Sequence, residues 1–209
     1  MNSREQHPPG CECSMCVMGD NDFIIDLTSY INTEQVYALN EKVEGNCRKI
    51  FKQKGDMLDK KDFTESNDDD VELMIYIPFK EQCRIKTMTM IGGEDGTAPS
   101  VIKLYVNNDN PGFELLEEKP TQTIECVENP LGELPYTLSP SKFNSTWSIT
   151  VIVTMNYSAD HSKIYYIGFE GISTRKKAKV LIGNYELKPL PENVKQPSEF
   201  NQHSASIYA

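Results

Sequence analysis

Histidine is scarce in this chain of 209 residues: there are three, against 31 acidic side chains. His7 and His203 stand near the two ends. That leaves His161 as the one imidazole placed for proton transfer, with no Ser or Cys in a strained nucleophile turn beside it. Carboxylates are plentiful, but none lies in a recognisable glycoside-hydrolysing motif. No catalytic residue is assigned, and the chain reads as a protein that is not an enzyme. Long apolar runs are missing too. Nothing approaches the roughly 18 consecutive apolar residues that a membrane-spanning helix requires. Residues 1–10 hold no apolar segment of the kind a secretory signal needs. Basic side chains number only 21, which leaves a formal net charge of −10. Such a surface argues against direct binding to nucleic acid or to an anionic membrane, since both demand a basic face.

Without a secretory signal, the six cysteines are expected as reduced thiols, in the cytoplasm with the nucleus as a second compartment. The sequons Asn144-Ser145-Thr146 and Asn156-Tyr157-Ser158 then have no use and are read as chance. No cofactor is expected. A domain of this length buries about 70% of its unfolded surface, so neither a metal nor a disulfide is needed to hold it.

What the chain does have is strand pattern. In residues 147–153, Trp147, Ile149, Val151 and Val153 share one face, and Ser148 and Thr150 lie on the other. A period of two in β-branched and aromatic residues marks a strand with one buried face. Ile152 breaks the pattern and predicts partial cover on the far side. Residues 163–171 place Ile164 and Tyr166 on one face and Tyr165, Ile167 and Phe169 on the other, as an inner strand covered on both sides would. The polar residues 156–162 between them are short enough for a hairpin-like link, so this strand pair is expected at the centre of one sheet.

Further short strands are expected over residues 72–79, 83–91, 101–106, 121–126 and 178–182. Turn signals divide them, including Pro78, the glycine-rich stretch 92–96 and the Asn- and Pro-containing stretch 107–112. Many short strands with almost no helical periodicity indicate an all-β, antiparallel sandwich or barrel. One short helix is expected near the start, capped by Asn32 with Gln35 closing a capping box, turning Val36, Leu39 and Tyr37 inward and ending at Gly45-Asn46. Residues 48–61 read as a charged surface loop, with Phe63 anchoring it. The domain is expected over residues 18–192, between a cysteine-bearing leader, 1–17, and a tail, 193–209. Within that tail region and just before it, Pro189, Pro191 and Pro197 predict extended chain.

Four clusters invite a chemical reading. Cys11, Cys13 and Cys16, with His7 nearby, suggest either a metal site or a thiol-bearing leader. The leader is favoured, because a structural zinc needs four ligands and no second pair follows. Cys13 and Cys16 also form a CxxC pair but lack the strand and helix that flank a redox dithiol. Residues 66–70 are an acidic cluster, readable as a Ca(II) site or as a solvated turn. The turn is favoured, since the ligand spacing of a calcium loop is absent. The glycines of 92–96 have no following Lys and Ser or Thr, and Pro99 opposes a helix there, so this is a loop and not a phosphate cradle. Arg175, Lys176, Lys177 and Lys179 form the one basic run. It reads as a charged strand edge that discourages pairing between molecules, with contact to an acidic partner as the alternative.

The order of several stretches resembles the PITH domain family. They are Ile31-Asn32 before Leu39-Asn40-Glu41, and Phe63-Thr64-Glu65-Ser66-Asn67 leading through the aspartates to Leu73. Pro99-Ser100 precedes Ile102-Lys103-Leu104-Tyr105, followed by Pro120-Thr121-Gln122. The run 164–171 and the closing Gly183-Asn184-Tyr185-Glu186 complete the match. The last of these, and the thiol-bearing leader, resemble family members that stand alone without a thioredoxin part. The resemblance implies a β-sandwich of jelly-roll, galactose-binding-like type. It also implies association with the proteasome regulatory particle, as for thioredoxin-linked members. Reductase activity does not carry over, and no ligand residues transfer.

Three functions follow as expectations. The first is a monomeric, non-enzymatic module that docks on the proteasome or another large protein assembly. The second is a small-ligand binder, of glycans or with Ca(II), using loops near residues 68–70 and 92–96. The third is a regulator of gene expression that acts through protein contacts. Binding residues are not assigned by the sequence.

Overall fold

The structure, a computed structural model, describes residues 23–177, with side chains to Thr174. The expected leader and tail, Cys11, Cys13 and Cys16, the strand expected over 178–182, the Pro189 to Pro197 stretch and the side chains of the basic run lie outside the described residues.

Among the described residues nine strands are joined by hydrogen bonds, in chain order β1 (Ile25–Asp26), β2 (Tyr37–Leu39), β3 (Thr64–Glu65), β4 (Leu73–Gly92), β5 (Pro99–Val106), β6 (Gln122–Glu125), β7 (Tyr136–Thr137), β8 (Thr146–Asn156) and β9 (Lys163–Lys177). All pairings are antiparallel. The long β4 belongs to two layers. Its first part, residues 73–78, pairs with β8 on one side and β2 on the other. Its later part pairs with β9 and β7. One layer therefore runs β2-β4-β8-β5-β6, and the other runs from β7 through β4 to β9, with β1 and β3 on the far side of β9.

This arrangement corrects three expectations. The strands β8 and β9 do not pair; each is the inner strand of its own layer, and residues 156–162 cross between layers. The two strands expected over 72–79 and 83–91 are one strand. Pro78 sits at its bend and not in a turn, where the register shifts between Pro78 and Cys83. A proline lacks the N–H that a ladder needs, so pairing is interrupted there at little cost and the chain changes layer. Phe79, just past the bend, packs edge-on against Phe169 with centroids 5.9 Å apart. In β9, Ile164, Ile167 and Phe169 all enter the same core. The register passes from Gly92↔Ile164 to Ile91↔Tyr166, so Tyr165 is an extra residue and reverses the alternation. A second bulge between Ile85 and Thr87 does the same for β4, whose inward residues change from Cys83 and Ile85 to Met88 and Met90.

The expected helix is also absent. Asn32 precedes a single 3-10 turn, Thr33–Gln35, and its side chain bonds Gln35 Oε1 at 3.0 Å without capping a backbone N–H. The next residues form β2 instead. Val36 is fully buried, while Leu39 reaches the surface. Paired to β4, Tyr37 to Leu39 gain ladder hydrogen bonds that a short isolated helix could not match.

Ile152 is fully buried on the outer face of its layer, beside Met74, Tyr105 and Leu115. The cover is residues 107–121, whose 3-10 turn, Phe113–Glu117, lies over them. Tyr37 fastens this strap by donating its hydroxyl to the Pro111 carbonyl at 3.0 Å. Phe63 anchors its loop as expected, with its ring edge-on to Tyr165 at 6.1 Å and under Lys163 Nζ at 4.5 Å. No helix among the described residues is long and apolar enough to cross a membrane.

Candidate functional site

The end of β4, the start of β5, the end of β8 and the start of β9 meet at one end of the sandwich. Two loops, 93–98 and 157–162, stand side by side there. Backbone bonds clamp them: Tyr157 and Ser158 N–H groups donate to the Gly96 carbonyl at 3.2 Å, and Lys163 N–H donates to the Thr97 carbonyl at 2.8 Å. Gly96 has φ +82, and a Cβ on it would meet Ser158 Oγ at 2.6 Å, so both conformation and contact demand glycine. Asn156 fixes the second loop by donating to the carbonyls of Ala159 and His161 at 2.9 and 2.8 Å. Its amide is thereby engaged, against any use of that sequon.

Between the loops lies a depression of about 470 Å³. Glu94, Asp95 and Thr97 line one wall, and Asp160 and His161 the other, above Lys163 and Tyr165. A network of charge adjoins it. Glu65 of β3, with 15% of its side chain exposed, receives Lys163 Nζ at 3.0 Å, Lys42 Nζ at 3.7 Å and His161 Nε2 at 3.8 Å. Lys42 also holds Asp68 at 2.7 Å, which lowers that carboxyl below its usual range. Lys60 pairs with Glu94 and lies over the Tyr165 ring. The 66–70 turn and the 92–96 loop, far apart in sequence, thus share one end of the molecule.

The acidic cluster is a turn. Asp69 has φ +63, Asn40 donates to the Asp70 carboxylate at 2.8 Å, and the Glu72 N–H donates to it at 2.9 Å. Among the described residues no group of three His, Cys, Asp or Glu is placed to hold a metal. His161 faces Glu65 and, among the described residues, has no thiol or hydroxyl nucleophile as hydrogen-bond partner of its ring. The thiols of Cys47, Cys83 and Cys126 are free, buried, and pushed up to about 12 by that burial. A thiol held protonated is a poor nucleophile and a poor ligand. The residues that the sequence reading missed are Lys42, Glu65 and Lys163. Nothing local marks them, because their contacts join positions as much as about a hundred residues apart.

Two similarities bear on what this frame is. A chain containing the CBM32-1 and CBM32-2 domains of Clostridium perfringens ZmpB, in complex with GalNAc, matches over 73% of this chain and 36% of its own, with TM-score 0.52 and 11% identity. The family 32 CBM of C. perfringens NanJ, in complex with galactose, matches over 71% of this chain and 99% of its own, with TM-score 0.51 and 9% identity. The architecture and these matches define a β-sandwich of the galactose-binding-like class. Within that class the chain belongs to the PITH domain family, which matches residues 21–189. It is 37% identical to PITH domain-containing protein 1 of Dictyostelium discoideum over 81% of this chain and 84% of that one. It is 34% identical to PITH domain-containing protein ZK353.9 of Caenorhabditis elegans, over 81% and 82% respectively. The human PITH domain-containing protein 1 is 34% identical over 77% of this chain and 76% of its own. These names designate a domain and no catalytic activity. Family and fold together fit a protein-interaction module.

Proposed function

We propose that the chain is a non-enzymatic, monomeric module that docks on a large protein assembly, the proteasome regulatory particle first among them, in the cytoplasm and nucleus. Membership of the PITH domain family carries this reading. The sandwich supports it physically. A frame braced by a strand shared between two layers holds its end loops rigid, and rigid loops lose little entropy on binding. The test is capture of assemblies from cell extract by the full chain at physiological salt. Enrichment of proteasome subunits is expected, and their absence would remove that partner.

A second reading is favoured by the polar depression between the end loops. There the chain would bind a small ligand, a glycan alone or with Ca(II). A melting temperature raised by sugars or Ca(II) would support it, and no change with either would end it.

A further inference from the structure

Several of the large apolar side chains left in water lie on one loop beside this end of the sandwich. Val127, Leu131 and Leu134 are 50%, 54% and 54% exposed. All three lie on the crossing from β6 to β7. That crossing is braced from within. Asn129, itself 7% exposed, donates to the Leu134 carbonyl at 3.0 Å and accepts the Leu134 N–H at 3.3 Å. Gly132, at φ +69, lies against Ile91 and Met57. The leucines are therefore held out by a fixed loop. Beside them Tyr157, 42% exposed, donates to the Cys126 carbonyl at 2.7 Å. Met155, 57% exposed, is in register with Val101, which is in register with Glu125.

Along the crossing itself the charge has one sign, although Lys60, paired to Glu94, stands across the neighbouring depression. Glu125 ends β6, Glu128 and Glu133 are on the crossing, and no Lys or Arg occurs between Gln122 and Tyr136. A depression of about 210 Å³ links Glu128 and Asn129 to Asp95 of the neighbouring loop. Among the described residues, Glu125, Glu128, Glu133 and Asp95 form no ion pair, whereas Glu65, Asp68, Glu94 and Glu170 all do. Single exposed apolar residues are ordinary. An apolar centre on a braced loop, rimmed by uncompensated carboxylates, has the make-up of a recognition surface.

We propose that this ledge binds a short segment of a partner protein in which Lys or Arg flank two or more large apolar side chains. The apolar side chains cover Val127, Leu131 and Leu134, and the cations meet the three glutamates. A second copy of this chain is disfavoured, because it would set one acidic rim against another on molecules of net charge −10. The inference rests on the interaction-module reading and adds the partner's chemistry.

A random displayed-peptide library panned on the full chain, in parallel with Leu131→Asp/Leu134→Asp, tests it. Both leucines are more than half exposed, so the variant should keep its melting temperature. Peptides retained by the wild type should be net basic with at least two large apolar residues. They should bind the leucine variant, and Glu125→Gln/Glu128→Gln/Glu133→Gln, about tenfold more weakly, and lose affinity as salt rises. No enrichment, neutral or acidic peptides, or equal binding to both variants overturns the proposal. So does concentration-dependent dimerisation that the leucine variant abolishes, which would assign the ledge to a second copy. Proteasome capture by wild type and leucine variant alike refutes the ledge but leaves the module reading intact. Peptide selection as expected without proteasome capture upholds the ledge and removes only the proteasome as its partner.

Discussion

Replacing Glu41 by alanine probes how the end of the sandwich that carries Lys42 and Glu65 is held in place. The Glu41 carboxylate accepts the Cys47 N–H at 2.5 Å, the Thr64 hydroxyl at 2.6 Å and the Gly45 N–H at 2.9 Å. It thereby ties the loop that carries Lys42 to β3, which carries Glu65. A hydrogen bond to a charged acceptor contributes about 1.5–3 kcal/mol. The three do not add fully, because they share one group and the site is only half-buried, so water replaces part of what is lost. The expected loss for Glu41→Ala is about 3 kcal/mol. In a domain of this size that corresponds to a fall of about 6–12 °C in Tm. Thr64→Val should cost about 1–2 kcal/mol. The double variant should fall short of the sum by about 1 kcal/mol, since both changes remove the same bond. Urea unfolding followed by the fluorescence of the sole tryptophan, Trp147, measures all three. A loss below about 1 kcal/mol for Glu41→Ala, at an unchanged urea slope, would refute the reasoning.

Other perturbations follow from the same geometry. A Cβ on Gly171 would lie 2.2 Å from the Arg84 carbonyl oxygen of the neighbouring strand, so Gly171→Ala should destabilise by about 2–3 kcal/mol; wild-type stability in this variant would contradict the register. Cys47, Cys83 and Cys126 should resist a thiol reagent in the native protein and react once it is unfolded, as read by peptide mass spectrometry; rapid native labelling of any of them would contradict their burial. Stability should also fall in alkali. Burial raises these three thiols from 9.0 to about 12, and the Tyr166 and Tyr136 hydroxyls from 10.0 to about 12. A raised folded-state value means the unfolded chain ionises first. The contribution is intact below pH 9.0 and is lost as pH rises towards 12, so the urea midpoint should decline across that range and not below it. Ile152→Ala should cost about 2–4 kcal/mol although Ile152 lies outside the main core, because the strap seals it completely.

Strand existence and fold class were legible in the residues themselves. The alternation of Ile149, Val151 and Val153 is a one-dimensional signal, and burial of one face of a pleated strand reproduces it directly. The turn at 66–70 and the anchoring of Phe63 were legible for a similar reason, since local charge and a lone aromatic constrain what nearby backbone can do. Pairing was not legible. Strands β8 and β9 are neighbours in sequence and belong to different layers, because each finds its partner in β4, a strand long enough to serve both. The bulge at Tyr165 reverses which residues face inward without altering the sequence pattern that led to the opposite assignment.

The chain alone therefore determined an acidic, strand-rich protein of the PITH family, since composition, periodicity and motif order are properties of the chain and survive without coordinates. The tertiary structure decided which distant residues meet. Glu65 meets Lys42, Lys163 and His161, and the ledge of Val127, Leu131 and Leu134 stands beside unpaired carboxylates, only because distant segments are brought to one end of the sandwich. Contacts of that kind are set by which backbones share hydrogen bonds across the layers, and no local run of residues encodes them.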